Sequence, residues 1–325
     1  MPIHSSRTKS VDGHRPVILG EVLFDCFGEH KVLGGAPFNV AWNLRGLGLN
    51  PHFISAVGDD AEGERVKQAM KAWGMDVTGL QTTPQRPTGM VEVSLRDNEP
   101  HYRICEDVAY DSIEPSLADK PSLEAAIFYH GSLAFRTLHN QNTVSVLQAE
   151  LSCPRFLDIN LRPPFFDERW SERLLTNLDH LKLNFDELRT LCHDDMFASE
   201  ASSIDSCRHG AKLLRERYGI RQFWITLGSE GAVWIGEDDA WCHAPATPVS
   251  KIIDTVGAGD AFASVVIEGI VLGRSPSEVL QRGNRLAARV CGIRGATTND
   301  MHFYQQSQRD DRLRAEADAI EDRTP

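Results

Sequence analysis

The sequence predicts an α/β fold in which helices cover both faces of a mostly parallel β-sheet. Near the N-terminus, apolar runs typical of buried strands alternate with runs typical of helices, which is the pattern of parallel sheets. The length is also suitable, because 325 residues with 41% hydrophobic content can form one large α/β domain. Strand, helix, strand and helix are predicted in turn at Val17–Asp25, Ala36–Leu47, Pro51–Val57 and Asp60–Trp73.

The same alternation resumes in the second half of the chain. Further strands are predicted at Ala125–Tyr129, Arg155–Ile159, His180–Leu183 and Gln222–Leu227. Helices are predicted between them, near Asn140–Leu151, Glu172–Leu178 and Ser206–Tyr218. A turn at Gly228–Gly231 then leads into Ala232–Gly236 and predicts a hairpin.

A strong helix start lies near the C-terminus. Ser275 is a predicted N-cap, with Pro276 at the first helical position and Glu278 at the third. The helix is predicted to run to about Cys291.

The stretch Thr88–Ile113 departs from this alternation. Met90–Arg96 alternates apolar and polar residues, and a turn at Asp97 and Asn98 leads into His101–Ile104. This pattern predicts a half-exposed antiparallel hairpin inside an otherwise parallel fold. Such a hairpin beside a site is suited to act as a lid, and an edge decoration without a role is the alternative.

Composition excludes several classes of function. No apolar run is long enough for a membrane span, and a net charge of −12 disfavours nucleic acid and anionic membranes as partners. Seven cysteines without a Cys-x-x-Cys pair predict reduced thiols in a cytoplasmic protein, and the twelve histidines show no zinc spacing. We expect a polar tail at residues 1–15, one domain at 16–304 with lid segments near 25–35 and 88–113, and a charged helix or tail at 305–325.

The segment Asp254–Phe262 carries the clearest chemistry. A glycine-rich turn comes directly before an apolar run that predicts a buried helix, so free backbone N–H groups and the helix dipole favour an anion there. A carboxylate in such a site repels the anion, and Asp260 is therefore better explained as a base that takes a proton from an attacking hydroxyl. The alternative is an ordinary turn in which Asp260 is an N-cap.

The complete string Asp254-Thr-Val-Gly-Ala-Gly-Asp-Ala-Phe262 resembles the Asp-Thr-x-Gly-Ala-Gly-Asp-x-Phe signature of the ribokinase-like (PfkB) sugar kinases. The resemblance implies that Asp260 is the catalytic base and that the amides of Gly257, Ala258 and Gly259 form an anion hole. It also implies a three-layer α/β/α fold with a small antiparallel β lid. The competing phosphate-binding motifs are absent, because the chain has neither the third glycine of a dinucleotide fingerprint nor a Gly-x-x-x-x-Gly-Lys sequence.

Two N-terminal motifs concern the acceptor. Leu33-Gly-Gly-Ala-Pro-Phe-Asn-Val-Ala41 resembles the Gly-Gly-Ala-Pro-x-Asn-Val-Ala of the fructokinase branch, which implies that Gly34, Gly35 and Asn39 contact the sugar. A turn with Asn39 on a helix surface is the alternative. Glu21-Val-Leu-Phe-Asp25 resembles the Gly-Glu-x-Leu-x-Asp of the same kinases, in which the aspartate holds the sugar. We expect Asp25 at the carboxyl end of the first strand, where ligands of open α/β sheets bind.

A third motif follows a later strand. Asp158-Ile-Asn-Leu-Arg-Pro163 resembles the fructokinase-like Asp-x-Asn-x-Arg-Pro, and we expect Asn160 and Arg162 to bind substrate. Arg162 offers a planar cation either for phosphate or for an acid such as Asp158.

Further positions resemble the nucleotide side of these kinases. Asn184 and Glu187 match the Asn-x-x-Glu that acts on the Mg²⁺ and phosphate water network, although the same pair also forms an ordinary capping box. Asp254, together with Gly295 and Ala296, resembles the monovalent-cation site of many members. The remaining expected nucleotide contacts are Lys182, Thr226, Gly228, Gly231 and Asn284.

The sequence thus predicts an ATP-dependent kinase, with Mg²⁺ as cofactor, that phosphorylates a primary hydroxyl of a sugar. Fructose is the favoured acceptor. The sequence leaves open whether the enzyme uses K⁺ and whether it forms a homodimer. Ribose, 2-keto-3-deoxygluconate and nucleosides are alternative acceptors, and a catalytically silent sugar-binding relative is the alternative from another class. Only eight residues separate Asp25 from Gly34, so we expect a small lid carried mainly by Met90–Ile113, which argues against lid-mediated dimerisation.

Overall fold

The computed structural model describes residues 14–96, 99–115, 124–166, 171–192 and 203–309. Its strands are β1 (His14–Leu19), β2 (Leu23–Phe27), β3 (His30–Gly34), β4 (His52–Gly58), β5 (Leu80–Thr83), β6 (Gly89–Arg96), β7 (Glu99–Ile104), β8 (Glu124–Gly131), β9 (Arg155–Asp158), β10 (His180–Asn184), β11 (Gln222–Thr226), β12 (Ala232–Ile235) and β13 (Trp241–Ala244). Its helices are α1 (Ala36–Gly46), α2 (Ala61–Ala72), α3 (Leu138–Glu150), α4 (Ser171–Leu175), α5 (Phe185–Cys192), α6 (Ser203–Tyr218), α7 (Ala258–Leu272) and α8 (Pro276–Val290).

The larger sheet has nine strands among the described residues, in the order β13-β12-β11-β10-β9-β8-β1-β4-β5. Its pairings are parallel except at the β11–β12 and β12–β13 edge, where the predicted hairpin lies. Val17 and Leu19 pack into the hydrophobic core on one face, whereas Ile18 packs into the core on the other. Because alternate residues of a strand point to opposite faces, both faces of the sheet are covered, which confirms the predicted three-layer fold.

The smaller sheet forms the lid and has the strand order β3-β2-β6-β7. The predicted hairpin is confirmed, since β6 and β7 pair antiparallel with Val91 opposite Ile104. Its turn residues, Asp97 and Asn98, lie outside the described residues. β2 and β3 supply two of the four described strands of the lid with five residues each, whereas β6 and β7 supply the longer pair with eight and six residues. The eight residues between Asp25 and Gly34 are enough for the β2–β3 hairpin, which turns at Gly28 with φ of 63°.

The first predicted strand is divided in two. β1 ends at Leu19, and the chain leaves the large sheet at Gly20 to enter the lid as β2. Gly20 packs so closely on α1 that a Cβ there would lie 2.3 Å from Cγ of Pro37. Asp25 is therefore in the middle of a lid strand, opposite Val32, and not at the end of the first strand as expected. The apolar run did not reveal this break, because the residues directly before and after Gly20, from Pro16 to Phe24, are all buried.

The helix starts agree well with the sequence. Oγ of Ser275 accepts a hydrogen bond from the backbone N–H of Glu278 and caps α8 as predicted. Helix α4 is shorter than expected and ends at Leu175. Residues 301–309 are helical, and the rest of the charged C-terminal segment and residues 1–13 lie outside the described residues. Within the described parts of the chain, no helix is long and apolar enough to cross a bilayer.

Candidate active site

The helix start of α7 carries the glycine motif. Gly257 is the N-cap with φ of 81°, a conformation that side chains other than glycine rarely adopt. A Cβ at this position would also lie 2.4 Å from Cα of Ala296, so the turn is packed against the chain after α8. The first N–H groups of a helix have no intrahelical acceptor, and the dipole adds positive character. The turn therefore has the geometry of an anion site.

Asp260 is the third residue of this helix, and its side chain does not cap it. No side chain caps α7 at Gly257, whereas Oδ2 of Asp260 accepts a 2.8 Å hydrogen bond from Nδ2 of Asn39. The N-cap alternative is therefore excluded. Asn39 is largely buried on α1 and faces α7, which also excludes the surface position considered for it.

Opposing influences act on the charge of Asp260. Burial raises the pKa of its carboxyl above the usual range, while the hydrogen bond from Asn39 and the charges of Lys182 and Arg162 act to lower it. A desolvated carboxylate whose ionised form also receives a directed hydrogen bond is suited to accept a proton. Because Oδ2 accepts from Asn39, Oδ1 is left for an incoming hydroxyl.

A buried ion pair lies directly beneath the glycine turn. Nζ of Lys182 lies 2.9 Å from each carboxylate oxygen of Asp158. The same ammonium group would lie only 3.2 Å from a Cβ at Gly259, so it borders the anion site. Burial raises the pKa of Asp158 to about 7, although Lys182 acts to lower it. Asp158 thus pairs with Lys182, which excludes the Asp158–Arg162 ion pair that the sequence had left open.

The expected sugar residues come together between the lid and α1. A Cβ at Gly34 would lie 3.2 Å from Oδ2 of Asp25, and one at Gly35 would lie 2.5 Å from the backbone oxygen of Glu21. Burial raises the pKa of Asp25, and the charge of Arg162 opposes this shift. The charge of Arg162 thus acts on both Asp25 and Asp260.

The loop that carries Arg162 is held in place by Glu187. Oε1 of Glu187 accepts from the backbone N–H of Leu161, and Oε2 accepts from that of Asn184. The backbone N–H of Glu187 donates to Oδ1 of Asn184, which completes a reciprocal capping box. Asn160, in the same loop, has φ of 38°, which places it in the left-handed region. Asn184 and Glu187 therefore do form the capping box that was the alternative explanation for this pair. Each carboxylate oxygen of Glu187 still has a lone pair that can accept a hydrogen bond from water.

The other expected nucleotide residues lie on different elements, around β11–β13 and α8. Thr226 ends β11, and Gly228 and Gly231 have φ of 59° and 101°. A Cβ at Gly231 would lie 2.0 Å from the backbone oxygen of Ala244. Nδ2 of Asn284 donates to the backbone oxygens of Ala244 and Pro245, so its amide nitrogen is used to position the chain after β13.

Asp254 joins two loops beside the glycine turn. Its Oδ1 accepts from the backbone N–H of Val256, and its Oδ2 accepts from that of Gly295, both at 3.0 Å. Among the described residues, no group of three or more His, Cys, Asp or Glu side chains is arranged to hold a metal ion.

Glu21 is a residue of the site that the sequence analysis did not select. It is only 3% exposed, and its Oε2 has no hydrogen-bond partner among the described residues. Burial raises its pKa to about 7, with Arg162, Asp260 and Arg136 among the charges that act on it. Its place in the Glu21–Asp25 motif was the available signal, but only the fold shows that it turns inward.

Known proteins are similar to this chain over most of its length. The model of the pfkB family of carbohydrate kinases matches residues 11–302. The chain is 28% identical to fructoselysine 6-kinase of Escherichia coli (strain K12) over 271 residues, which are 81% of this chain and 91% of the relative. It is 26% identical to fructokinase of Salmonella typhimurium over 310 residues, 90% of this chain and 96% of the relative.

Solved structures share the fold. Fructokinase from Xylella fastidiosa with bound ATP superposes with a TM-score of 0.77 at 18% identity, covering 91% of this chain and 98% of that one. A fructokinase double mutant from Vibrio cholerae with fructose, ADP and potassium bound gives a TM-score of 0.72 at 21% identity, covering 90% and 98%. Because the family model matches nearly the whole chain, this protein is an enzyme of the pfkB family of carbohydrate kinases.

Proposed function

We propose that the protein transfers the γ-phosphoryl group of ATP to a primary hydroxyl of a small sugar, with fructose as the first candidate. The observation that carries this proposal is the contact between Asn39 and Asp260 at the glycine-rich start of α7. It brings the acceptor motif and the phosphate motif into one site.

The transfer would use groups already in place. Oδ1 of Asp260 takes the proton of the sugar hydroxyl, whose oxygen forms a bond to the γ-phosphorus. The bond from that phosphorus to the bridging oxygen breaks, and ADP leaves with the electron pair. The amides of Gly257, Ala258 and Gly259, backed by the ammonium group of Lys182, stabilise the negative charge of the phosphoryl group. Mg²⁺ bound to the phosphates neutralises part of the same charge.

Substrate binding is assigned to the surrounding residues. Asp25, the Gly34–Gly35 backbone and Asn39 hold the sugar, and Asn160 and Arg162 close the site from the β9 loop. The nucleotide lies towards Asn184, Thr226, Gly228, Gly231 and Asn284, with Glu187 acting on Mg²⁺ through water and Asp254 at a K⁺ site. We assign this activity to a domain at 16–304.

The choice of fructose rests on the Gly34-Gly-Ala-Pro-Phe-Asn39 motif and on the fructokinases among the relatives. Other relatives are named for different acceptors, including fructoselysine, 2-dehydro-3-deoxygluconate and guanosine or inosine. Ribose, 2-keto-3-deoxygluconate and nucleosides therefore belong in the same test.

The test is an ADP-release assay with ATP, Mg²⁺ and this panel of acceptors, with and without K⁺, beside Asp260→Asn. Turnover on fructose that is lost in the variant supports both the substrate and the base. Turnover on another acceptor keeps the mechanism and replaces the substrate. Sugar binding without turnover on any acceptor contradicts the proposal and favours a silent sugar-binding relative.

A further inference from the structure

The lid is held from one side by the first turns of α2. Asp60, the N-cap of that helix, accepts a hydrogen bond from the backbone N–H of Gly63. Its carboxylate also accepts from the backbone N–H and the hydroxyl of Thr88, at 2.8 and 2.6 Å. Because Thr88 directly precedes β6, the start of the helix fixes the point at which the chain enters the β6–β7 half of the lid.

Two further contacts join α2 to the other half of the lid. Nζ of Lys31 in β3 lies 2.5 Å from Oε1 of Glu62, and the two side chains are 30% and 24% exposed. One turn further along α2, the guanidinium group of Arg65 lies over the buried ring of Phe24 in β2, 4.7 Å from its centroid. The helix therefore contacts both halves of the lid.

The contacts of Lys31 and Phe24 lie on the face of the lid opposite to Asp25. Phe24 and Cys26 flank Asp25 in β2, and Lys31 is the partner of Cys26 across the β2–β3 pair. Neighbouring residues of a strand point to opposite faces of a sheet, and paired residues point to the same face. The ion pair between Lys31 and Glu62 is thus behind the strand whose other face carries the proposed sugar ligand.

The connections between the lid and the large sheet are short. β1 passes into β2 through residues 20–22, and β3 passes into α1 at Gly35, which has φ of 111°. A small sheet that is joined to a domain in this way tilts by rotation about its connections. Contacts away from the connections, such as that of Lys31 with Glu62, therefore decide the tilt and with it the position of Asp25 over the site.

We propose that Lys31 and Glu62 are positioning residues of the acceptor site, which hold the lid on α2 so that Asp25 faces the sugar. The inference rests on the proposed function in assigning the sugar to Asp25. A partly exposed ion pair contributes little to the stability of a fold. Between two parts that tilt, the same small free energy changes the fraction of molecules in the closed arrangement, and the apparent affinity for the acceptor decreases in proportion to that fraction.

Steady-state kinetics with the acceptor that gives turnover tests the role of the pair. Lys31→Met and Glu62→Gln are each expected to raise KM for the acceptor about threefold to fivefold, because an ion pair of this exposure shifts an equilibrium by no more than that. The kcat and the KM for ATP should stay unchanged, as expected when only acceptor binding is weakened. The charge reversal Lys31→Glu with Glu62→Lys is expected to restore the KM of wild type, which a merely structural role of either side chain would not explain.

Two matched controls separate the ion pair from its surroundings. Glu64→Gln removes an exposed acid from the same first turn of α2. Arg103→Met breaks the exposed ion pair with Glu92, which joins two strands within the lid. Both controls are expected to keep the KM of wild type.

Amide hydrogen exchange of peptides that cover β2 and β3 supplies a readout that does not need turnover. Lys31→Met is expected to exchange faster there than wild type, because the lid strands open more often. The proposal is overturned by an unchanged KM in both single variants, by an equal rise of KM in either control, or by a charge reversal that performs no better than the single variants. Absence of turnover with every acceptor rejects the proposed function instead, and the exchange rates then decide by themselves whether the pair holds the lid.

Discussion

Asn39 and Asp260 lie 221 residues apart in the chain, yet Nδ2 of one donates to Oδ2 of the other over 2.8 Å. Asn39 reaches this contact from the first turns of α1, directly after the lid, and Asp260 from the first turn of α7. The hydrogen bond therefore connects the lid and sugar loop to the phosphate site. A hydrogen bond to an ionised carboxylate favours the charged form, which is the form that a base requires.

Removing this donor should make Asp260 harder to ionise. In Asn39→Ala the lowering influence of the hydrogen bond is lost, so the pKa of Asp260 rises further and a higher pH is needed to form the base. We expect the acidic limb of the kcat/KM profile to move to higher pH. Asn50→Ala, at an exposed position, is the control. An acidic limb that stays in place would show that Asn39 does not tune Asp260.

Replacing the base itself should affect turnover more than binding. Asp260→Asn keeps the size of the side chain but cannot accept the proton of the hydroxyl, and general-base catalysis contributes about 10²–10⁴-fold to rate. We expect kcat to fall by about that factor with sugar and nucleotide affinities largely kept, measured by steady-state kinetics and calorimetry. Asp238→Asn, in an exposed loop, should leave kcat unchanged. A decrease in affinity alone would argue against a base at this position.

The sequence predicted the layers of the fold but not the route of the chain into the lid. Buried strands and helix caps are local patterns, and both Ser275 and the β6–β7 hairpin were found in this way. The position of Asp25 depended on a break at Gly20, which packs closely against Pro37, and no local pattern encodes that contact. Because the residues on both sides of Gly20 are buried, the end of β1 and the start of β2 look like one strand when only the apolar run is visible.

In the candidate site, too, features that depend on local sequence were predictable, whereas features that depend on distant contacts were not. The resemblance of both motifs to one kinase family predicted that Asn39 and Asp260 would contribute to one site, and the structure brings them into contact. The Lys182–Asp158 pair required the register of β9 and β10, and the inward position of Glu21 required the route of the chain from β1 to β2, neither of which the sequence displays. Asn184 and Glu187 matched a local capping pattern and a family motif at once, so the sequence alone did not separate the two explanations.

The two glycines of the anion site should respond differently to alanine. Gly257 has φ of 81°, and a Cβ there meets Ala296 at 2.4 Å, so Gly257→Ala is expected to lose about 1–3 kcal/mol of stability along with activity. At Gly259, where φ is not positive, a Cβ would lie 3.2 Å from Nζ of the buried Lys182, a contact that a shift of a few tenths of an ångström relieves, so Gly259→Ala should lose less stability than Gly257→Ala. The methyl group added at Gly259 borders the anion site and is expected to lower kcat about tenfold or more. Urea unfolding and kinetics separate the two outcomes, and equal stability losses would contradict the argument.

The buried pair of Lys182 and Asp158 should tolerate replacement of both partners better than loss of one. Lys182→Met leaves a buried carboxyl group without its partner, which typically costs about 3–5 kcal/mol. The double variant Lys182→Met with Asp158→Leu removes both polar groups, and we expect a smaller loss of unfolding free energy. Both variants should lose activity because the ammonium group beside Gly259 is gone. A double variant less stable than the single one would show that Asp158 is stabilised mainly by other groups.

The free energy of unfolding of the protein should depend on whether Glu21 is ionised. Its pKa is 4.5 in the unfolded chain and is raised by burial to about 7 in the folded protein, so between these values the folded state holds a proton that the unfolded state has released. Unfolding therefore becomes easier as pH rises through this window, and the carboxyl destabilises the fold by about 3 kcal/mol once pH exceeds 7. Glu21→Gln cannot ionise, so its unfolding free energy relative to wild type should increase from pH 4.5 to 7 and then level off. Urea unfolding across that range measures the difference, with Glu216→Gln expected to follow wild type. A constant difference between wild type and Glu21→Gln would mean that Glu21 does not titrate in this window.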